Sequence, residues 1–97
     1  MAELEMNLNE NQKGTLDLFV EGKRIGFMEV IVKEGTLTVF HTEVEPEGRG
    51  KGYAKNLFDK LISYARENNL TIIPLCPYVH GQFEKEPDMF KDVWKKE

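Results

Sequence analysis

The sequence has 97 residues, 40% hydrophobic, 31% charged and 10% aromatic, a composition that fits one small packed domain rather than a disordered segment. Thirteen Lys and Arg against seventeen Asp and Glu leave a net charge of −4, which argues against a nucleic-acid partner because that affinity rests on neutralising phosphates. One cysteine excludes an internal disulfide and, with two histidines, falls short of the four ligands of a structural zinc site, so no metal is expected.

In chain order, the first half reads as strands. Leu16, Leu18 and Val20 alternate with Thr15, Asp17 and Phe19, the period-2 signature of a strand with one buried face. Glu21-Gly22-Lys23-Arg24 is turn chemistry, and Ile25 to Val32 continues as a second strand rich in β-branched residues. Lys33-Glu34-Gly35 turns the chain again. Thr36 to Val44 reads as a third strand, with Leu37, Val39, His41 and Glu43 sharing a face. Short glycine-containing connections make these three an antiparallel meander. Met6 to Asn9 is a weaker candidate for an additional edge strand.

The period changes after Pro46-Glu47-Gly48. From Lys51 to Glu67, Tyr53, Ala54, Leu57, Phe58, Leu61, Ile62 and Ala65 fall three and four apart and define one helical stripe. Asn68-Asn69 suits the helix end, and Leu70 to Ile73 reads as a short buried strand limited by Pro74. Pro87 to Trp94 reads as a short packing helix, with Met89, Phe90 and Trp94, like Phe83, as core or oligomer contacts. The expected class is α+β: a mostly antiparallel sheet, built of the three-strand meander plus the strand after the main helix, with that helix on one face.

The segment from Glu45 to Ala54 carries the chemistry. Gly48, Gly50 and Gly52 at alternate positions permit a tight turn and bring backbone N–H groups toward a common point. The first amides of the following helix have no intrahelical partner, and the helix dipole adds positive potential, so a diphosphate fits. Arg49 and Lys51 add cationic side chains. A nucleotide P-loop is excluded because Gly50-Lys51 is followed by Gly52 in place of Ser or Thr. The dinucleotide fingerprint G-x-G-x-x-G fails at Tyr53 from Gly48 and at Lys55 from Gly50.

Arg49-Gly50-Lys51-Gly52-Tyr53-Ala54, after a strand and opening a helix, resembles the coenzyme-binding signature Arg/Gln-x-x-Gly-x-Gly/Ala of the GNAT superfamily of N-acetyltransferases. Phe40-His41-Thr42-Glu43-Val44 and Ile73-Pro74-Leu75-Cys76-Pro77-Tyr78-Val79 make the chain similar to the small single-domain branch of short GNAT-like acetyltransferases, from about Gly14 to Val79. The resemblance implies a single domain over residues 1–97 with a minimal GNAT fold that binds acetyl-CoA, and an N-acetyltransferase activity. It places the diphosphate on the amides of Arg49 to Ala54 (Arg49, Gly50, Lys51, Gly52, Tyr53 and Ala54) and the pantetheine arm beside the backbone of Thr42, Glu43 and Val44. The thioester would lie between that strand and the one ending near Pro74. Arg49, Lys51 or Lys55 would meet the adenosine phosphates, and Tyr78 would line the coenzyme channel.

Acetyl transfer to an amine needs a proton acceptor and stabilisation of the oxyanion. His41 is the first candidate base, since imidazole titrates near neutrality, and Glu43 is an alternative. Cys76 is open to three readings: acyl carrier, acid toward the departing thiolate (with His41 as a possible partner), or inert core residue. His80 is expected in a loop. Asn11 to Thr15 leaves no room for the helices that larger relatives carry between their first two strands. The acceptor site is therefore open, supplied by a partner, or absent, which favours a protein, peptide or polyamine amine. The competing readings are a coenzyme-A-binding module or sensor without turnover, and an interaction domain that binds nothing at the loop. The acidic opening MAELEMNLNENQ is unlike a signal peptide and no apolar run reaches the ~20 residues of a membrane span. The expected location is the cytoplasm, where a lone thiol stays reduced. Oligomeric state stays open.

Overall fold

A computed structural model describes residues 2–96. Five strands form one sheet in sequence order: β1 (Ala2–Leu8), β2 (Lys13–Val20), β3 (Lys23–Lys33), β4 (Thr36–Val44) and β5 (Thr71–Pro74). The first four pair antiparallel and β5 joins β4 in parallel. Helix α1 (Tyr53–Glu67) makes the β4–β5 crossover, and α2 (Pro77–Lys85) follows β5. This is the expected α+β class, with the weak N-terminal alternation now a full seven-residue edge strand.

Local chemistry sets the connections. Asn9 closes the β1–β2 turn with its side chain, its Oδ1 accepting from the amides of Asn11 (2.8 Å) and Lys13 (3.1 Å). The next two hairpins turn on Glu21-Gly22 and Glu34-Gly35, all with positive φ, the turn twist that matches right-twisted strands.

One sheet face is packed and the other is not. Leu16, Leu18, Met28, Leu37 and Val39 are fully buried with Leu57, Leu61 and Ala65 of α1 and Val79 and Phe83 of α2. Phe58 centres the aromatic part of this core, edge-on to Tyr78, Phe83 and Phe90 at centroid distances of 6.4, 5.8 and 5.2 Å. Across the sheet, Glu3, Glu5, Glu29, His41 and Glu43 are exposed.

Two expectations give way. Pro87 to Trp94 does not form a helix but a run of turns ending in a bridge between Trp94 and Ile72. Tertiary contacts hold it instead: Arg66 grips it through Asp92 (2.9 and 3.1 Å) and the Met89 carbonyl (3.0 Å). Phe90 and Val93 pack inward, whereas Met89 is exposed. The segment expected to be loop, including His80, is instead α2, which Pro77 opens at its first position, where proline's fixed φ is favourable.

Truncating Phe58 removes the ring on which three others converge. Phe58→Ala is expected to cost about 3–5 kcal/mol, read from chemical denaturation. A loss under about 1 kcal/mol would mean that the aromatic cluster is not a single packed unit.

Candidate active site

The site begins with two register slips. On β3, Leu18 pairs with Gly26 but Phe19 pairs with Arg24, which leaves Ile25 as a bulge. Ile25 is buried, and its carbonyl accepts the Glu45 amide at 2.7 Å. Its side chain also sits against Gly48, where an added Cβ would lie 2.4 Å from Ile25 Cγ2. This bulge holds the start of the glycine loop against the sheet.

On β4, Glu29 pairs with His41 but Val30 pairs with Val39, so Phe40 is the extra residue. A one-residue slip exchanges the two faces of a strand. The expectation that Leu37, Val39, His41 and Glu43 share a face is therefore corrected: beyond Phe40, Thr42 and Val44 continue the helix-side face, and His41 and Glu43 turn to the open face. His41 Nε2 lies 3.0 Å from Glu43 Oε1, and its ring meets Phe27 edge-on at 6.2 Å.

The β4–β5 ladder stops at the pair Val39 and Pro74. Just beyond it, the Cys76 amide donates to the Val39 carbonyl at 3.0 Å, and the chain turns away into α2. Among the described residues no strand pairs with the outer edge of Thr42, Glu43 and Val44, so this backbone is open where the two parallel strands part. Cys76 sits in that fork, 2% exposed, with Sγ 3.1 Å from Thr42 Oγ1. The structure thus gives Cys76 and His41 separate partners on opposite faces of β4. The Thr42 hydroxyl is the residue role that sequence reasoning missed; only the bulge at Phe40 turns it toward the sulfur, and a bulge leaves no mark in periodicity.

The loop itself runs through a single 3₁₀ turn at Pro46–Gly48. There the amides of Gly48 and Arg49 are already used, donating to the carbonyls of Glu45 (2.8 Å) and Pro46 (3.2 Å). The next amide with a backbone acceptor is that of Asn56, to Gly52 at 3.1 Å. The amides of Gly50, Lys51, Gly52, Tyr53 and Ala54 meet no acceptor among the described residues, and α1 has no side-chain cap. Gly50 and Gly52 adopt φ of 80° and 81°, a conformation that costs other residues about 1–2 kcal/mol. Beside this loop, Val20, Ile25, Glu47, Gly48, Lys51 and Tyr53 line a cavity of about 370 Å³. Lys23 pairs with Glu47 at its rim, which raises the Lys23 pKa and lowers that of Glu47.

Tyr78 lies at the first turn of α2 against Phe58, and Lys55 pairs with Asp59 at 2.9 Å on the adjacent face of α1. Burial pushes the Tyr78 hydroxyl above its ordinary pKa, opposed by the nearby Lys55 ammonium. His80 is on α2, 3.4 Å from Glu84, and takes no part in the fork.

Strand, glycine loop, helix and parting parallel strand therefore occur together, and the sequence comparison decides what they belong to. Residues 15–93 match the family model of GCN5-related N-acetyl-transferases. The chain is a member of that family. A GCN5-like protein of Staphylococcus aureus solved by NMR superposes with a TM-score of 0.64 at 28% identity, over 98% of this chain and 89% of its own. The ribosomal-protein-alanine N-acetyltransferase of Brucella melitensis biovar Abortus 2308 gives 0.63 at 24%, over 91% of this chain and 65% of its own. The ribosomal-protein-S18-alanine N-acetyltransferase of Escherichia coli gives 0.63 at 19%, over 68% of this chain and 43% of its own. This chain thus spans only part of the length of those two enzymes. Comparison by sequence with curated proteins gives no match.

A tyrosine whose folded pKa is raised contributes stability that is complete below its ordinary value near 10 and is lost as pH rises through the higher folded value. Tyr78→Phe is therefore expected to flatten the fall in unfolding free energy above about pH 10. An unchanged alkaline slope would show that Tyr78 is not buried in the way described.

Proposed function

We propose that the protein is an acetyl-CoA-dependent N-acetyltransferase whose acceptor is an amine of a protein, peptide or polyamine. The observation that carries this reading is the run of free amides from Gly50 to Ala54 at the N-terminus of a 15-residue helix, beside the open backbone edge of Thr42 to Val44. A diphosphate satisfies the amides and a pantetheine amide satisfies the strand edge, so one elongated ligand answers both sets of unpaired groups. The Arg49 amide, taken by Pro46, is not part of that cradle; Arg49 contributes only as a side chain, with Lys51 and Lys55.

When bound, the cosubstrate supplies a thioester as acyl donor. The chain's own residues divide the proton work by face. His41, held by Glu43, accepts the proton that the amine loses as it attacks from the open face. Cys76 supplies a proton to the departing sulfur from the helix side, and the Thr42 hydroxyl holds its thiol in place. Burial of Cys76 to 2% exposure favours this role over carrying an acyl group.

Acetyl-CoA at about 100 times its Kd is expected to raise unfolding free energy by about 2.7 kcal/mol. Gly52→Val should abolish that protection, beyond its own strain of about 1–2 kcal/mol measured without ligand. Retained affinity in calorimetric titration of the variant would overturn the loop assignment.

Cys76→Ala and His41→Ala are each expected to lower turnover by about 100-fold or more without loss of acetyl-CoA binding. Full turnover by Cys76→Ala would return the cysteine to the core, and an acetylated Cys76 in mass spectra would make it a carrier. A second reading, a coenzyme-A-binding module without turnover, is favoured by the tight Asn9–Lys13 turn, which supplies no segment between β1 and β2 to enclose an acceptor. Protection by acetyl-CoA with no release of free thiol across an amine panel would select it.

A further inference from the structure

The uncovered face of the sheet is organised, and its organisation leads to the fork. Because β1 to β4 pair in register, two rows cross it side by side: Glu5, Asp17, Phe27 and Glu43 in one, and Asn7, Thr15, Glu29 and His41 in the other. Both end on β4 at the pair assigned above to proton transfer. Asp17 is the one buried charge among the described residues, and it is fully answered: Arg24 Nε donates at 2.8 Å, Asn7 at 2.8 Å and Thr15 at 3.0 Å. Arg24 is thereby pinned, with its guanidinium 4.1 Å above the Phe27 ring. The carboxylates left over (Glu3, Glu5, Glu29 and Glu43) are exposed. The two lysines of this face, Lys13 and Lys33, lie at the far end of β2 and β3 from Glu43.

Beside these rows, an open groove of about 630 Å³ runs along β2 and β3 from Lys13 and Ile31 past Thr15 and Glu29, and ends at Phe40. The bulge that turned His41 outward also leaves the Phe40 side chain 47% exposed there. A sheet face that needs no partner is normally polar throughout; this one combines an apolar trough, an aromatic ring beside it and exposed carboxylates, Glu29 and then Glu5, on the side nearer His41, with Lys13 at the opposite end. The groove is open along its length, which suits an extended chain better than a compact molecule.

We propose that this face docks a basic, extended peptide segment of the acceptor, with lysine or arginine side chains meeting Glu5 and Glu29 and the reacting amine delivered past Phe40 to His41. This rests on the acetyltransferase reading for the identity of the occupant, but the docking is measurable without turnover. Complementary charge sets the orientation and speeds encounter, and it is screened by salt.

The test uses a fluorescein-labelled decapeptide of alternating lysine and alanine, followed by anisotropy and by amide shifts in NMR. Binding is expected to weaken by about tenfold as salt rises from low to physiological and beyond, and the same peptide with glutamate in place of lysine should not bind. Shifts should fall on β2, β3 and the Phe40 bulge. The double variant Glu5→Gln/Glu29→Gln should lose about fivefold or more in peptide affinity while acetyl-CoA protects it from unfolding as before. Undiminished peptide affinity in that variant, shifts confined to the helix side, or equal binding of the acidic peptide would overturn the docking surface. Absence of acetyl-CoA protection in the unaltered protein would instead strike the acetyltransferase reading and leave the peptide result standing by itself.

Discussion

The hydrogen bond from the Cys76 amide to the Val39 carbonyl, 3.0 Å long, marks where two parallel strands stop being a ladder. Up to that point β4 and β5 spend their backbone groups on each other. Beyond it β4 continues for five residues while the other chain bends into a helix that Pro77 starts. The fork cannot close again, because Pro74 and Pro77 bring no backbone donors to a longer ladder. A bound ligand amide can take the place of the missing strand, and the fork's depth is fixed by the last paired residues. The Phe40 bulge adds the second condition, since the same extra residue sends Thr42 to the sulfur side and His41 to the open side. Neighbours on a strand always face opposite sides, so what the bulge decides is which of the two meets the sulfur and which meets the open face.

The loop proposed to take the diphosphate offers backbone amides rather than net charge. A chain with net charge −4 has no general field to attract an anion, and Glu45 and Glu47 flank the loop directly. Free amides and a helix dipole act within the first turn, where such charges cannot cancel them by distance. Glu47 is moreover occupied by Lys23, which ties the loop's leading edge to β3. That ion pair is exposed on both sides and contributes little stability of its own. It holds the Glu47 carboxylate to Lys23, away from the unpaired amides that begin three residues further on at Gly50.

Much of this was legible in the residues. The Thr36–Val44 strand and the helix ending at Glu67 follow from alternation and a clear three-four stripe, and the glycine spacing located the loop. What escaped has a common cause. The bulges at Ile25 and Phe40 preserve composition while breaking period, so Leu37 to Glu43 reads as one uninterrupted face when it is two. The helix from Pro77 has a weak apolar stripe, Val79 and Phe83 being its buried residues, and Gly81 in its middle lowers helix propensity. Its sequence signal was Pro77 itself at the first helical position. The tail shows the reverse error: Met89, Phe90, Val93 and Trp94 have helical spacing, yet Arg66 and the strand edge at Ile72 hold them as turns.

The bare face follows from what the β1–β2 connection lacks. Asn9 caps a turn of so few residues that the β1–β2 connection cannot fold back over the sheet, so among the described residues the outward positions on β1 to β4 meet water directly. Charged residues serve that need, but they would serve it equally with mixed signs, as most soluble surfaces do. Here the central rows hold carboxylates, the neighbouring Arg24 is bound down to Asp17 and Phe27, and Lys13 and Lys33 lie at the far end of the face. Like charges across neighbouring strands oppose sheet formation, so this arrangement costs stability. A segregated charge that weakens the fold is hard to account for by folding alone, whereas a cationic acceptor laid across the face would neutralise it at the moment of binding.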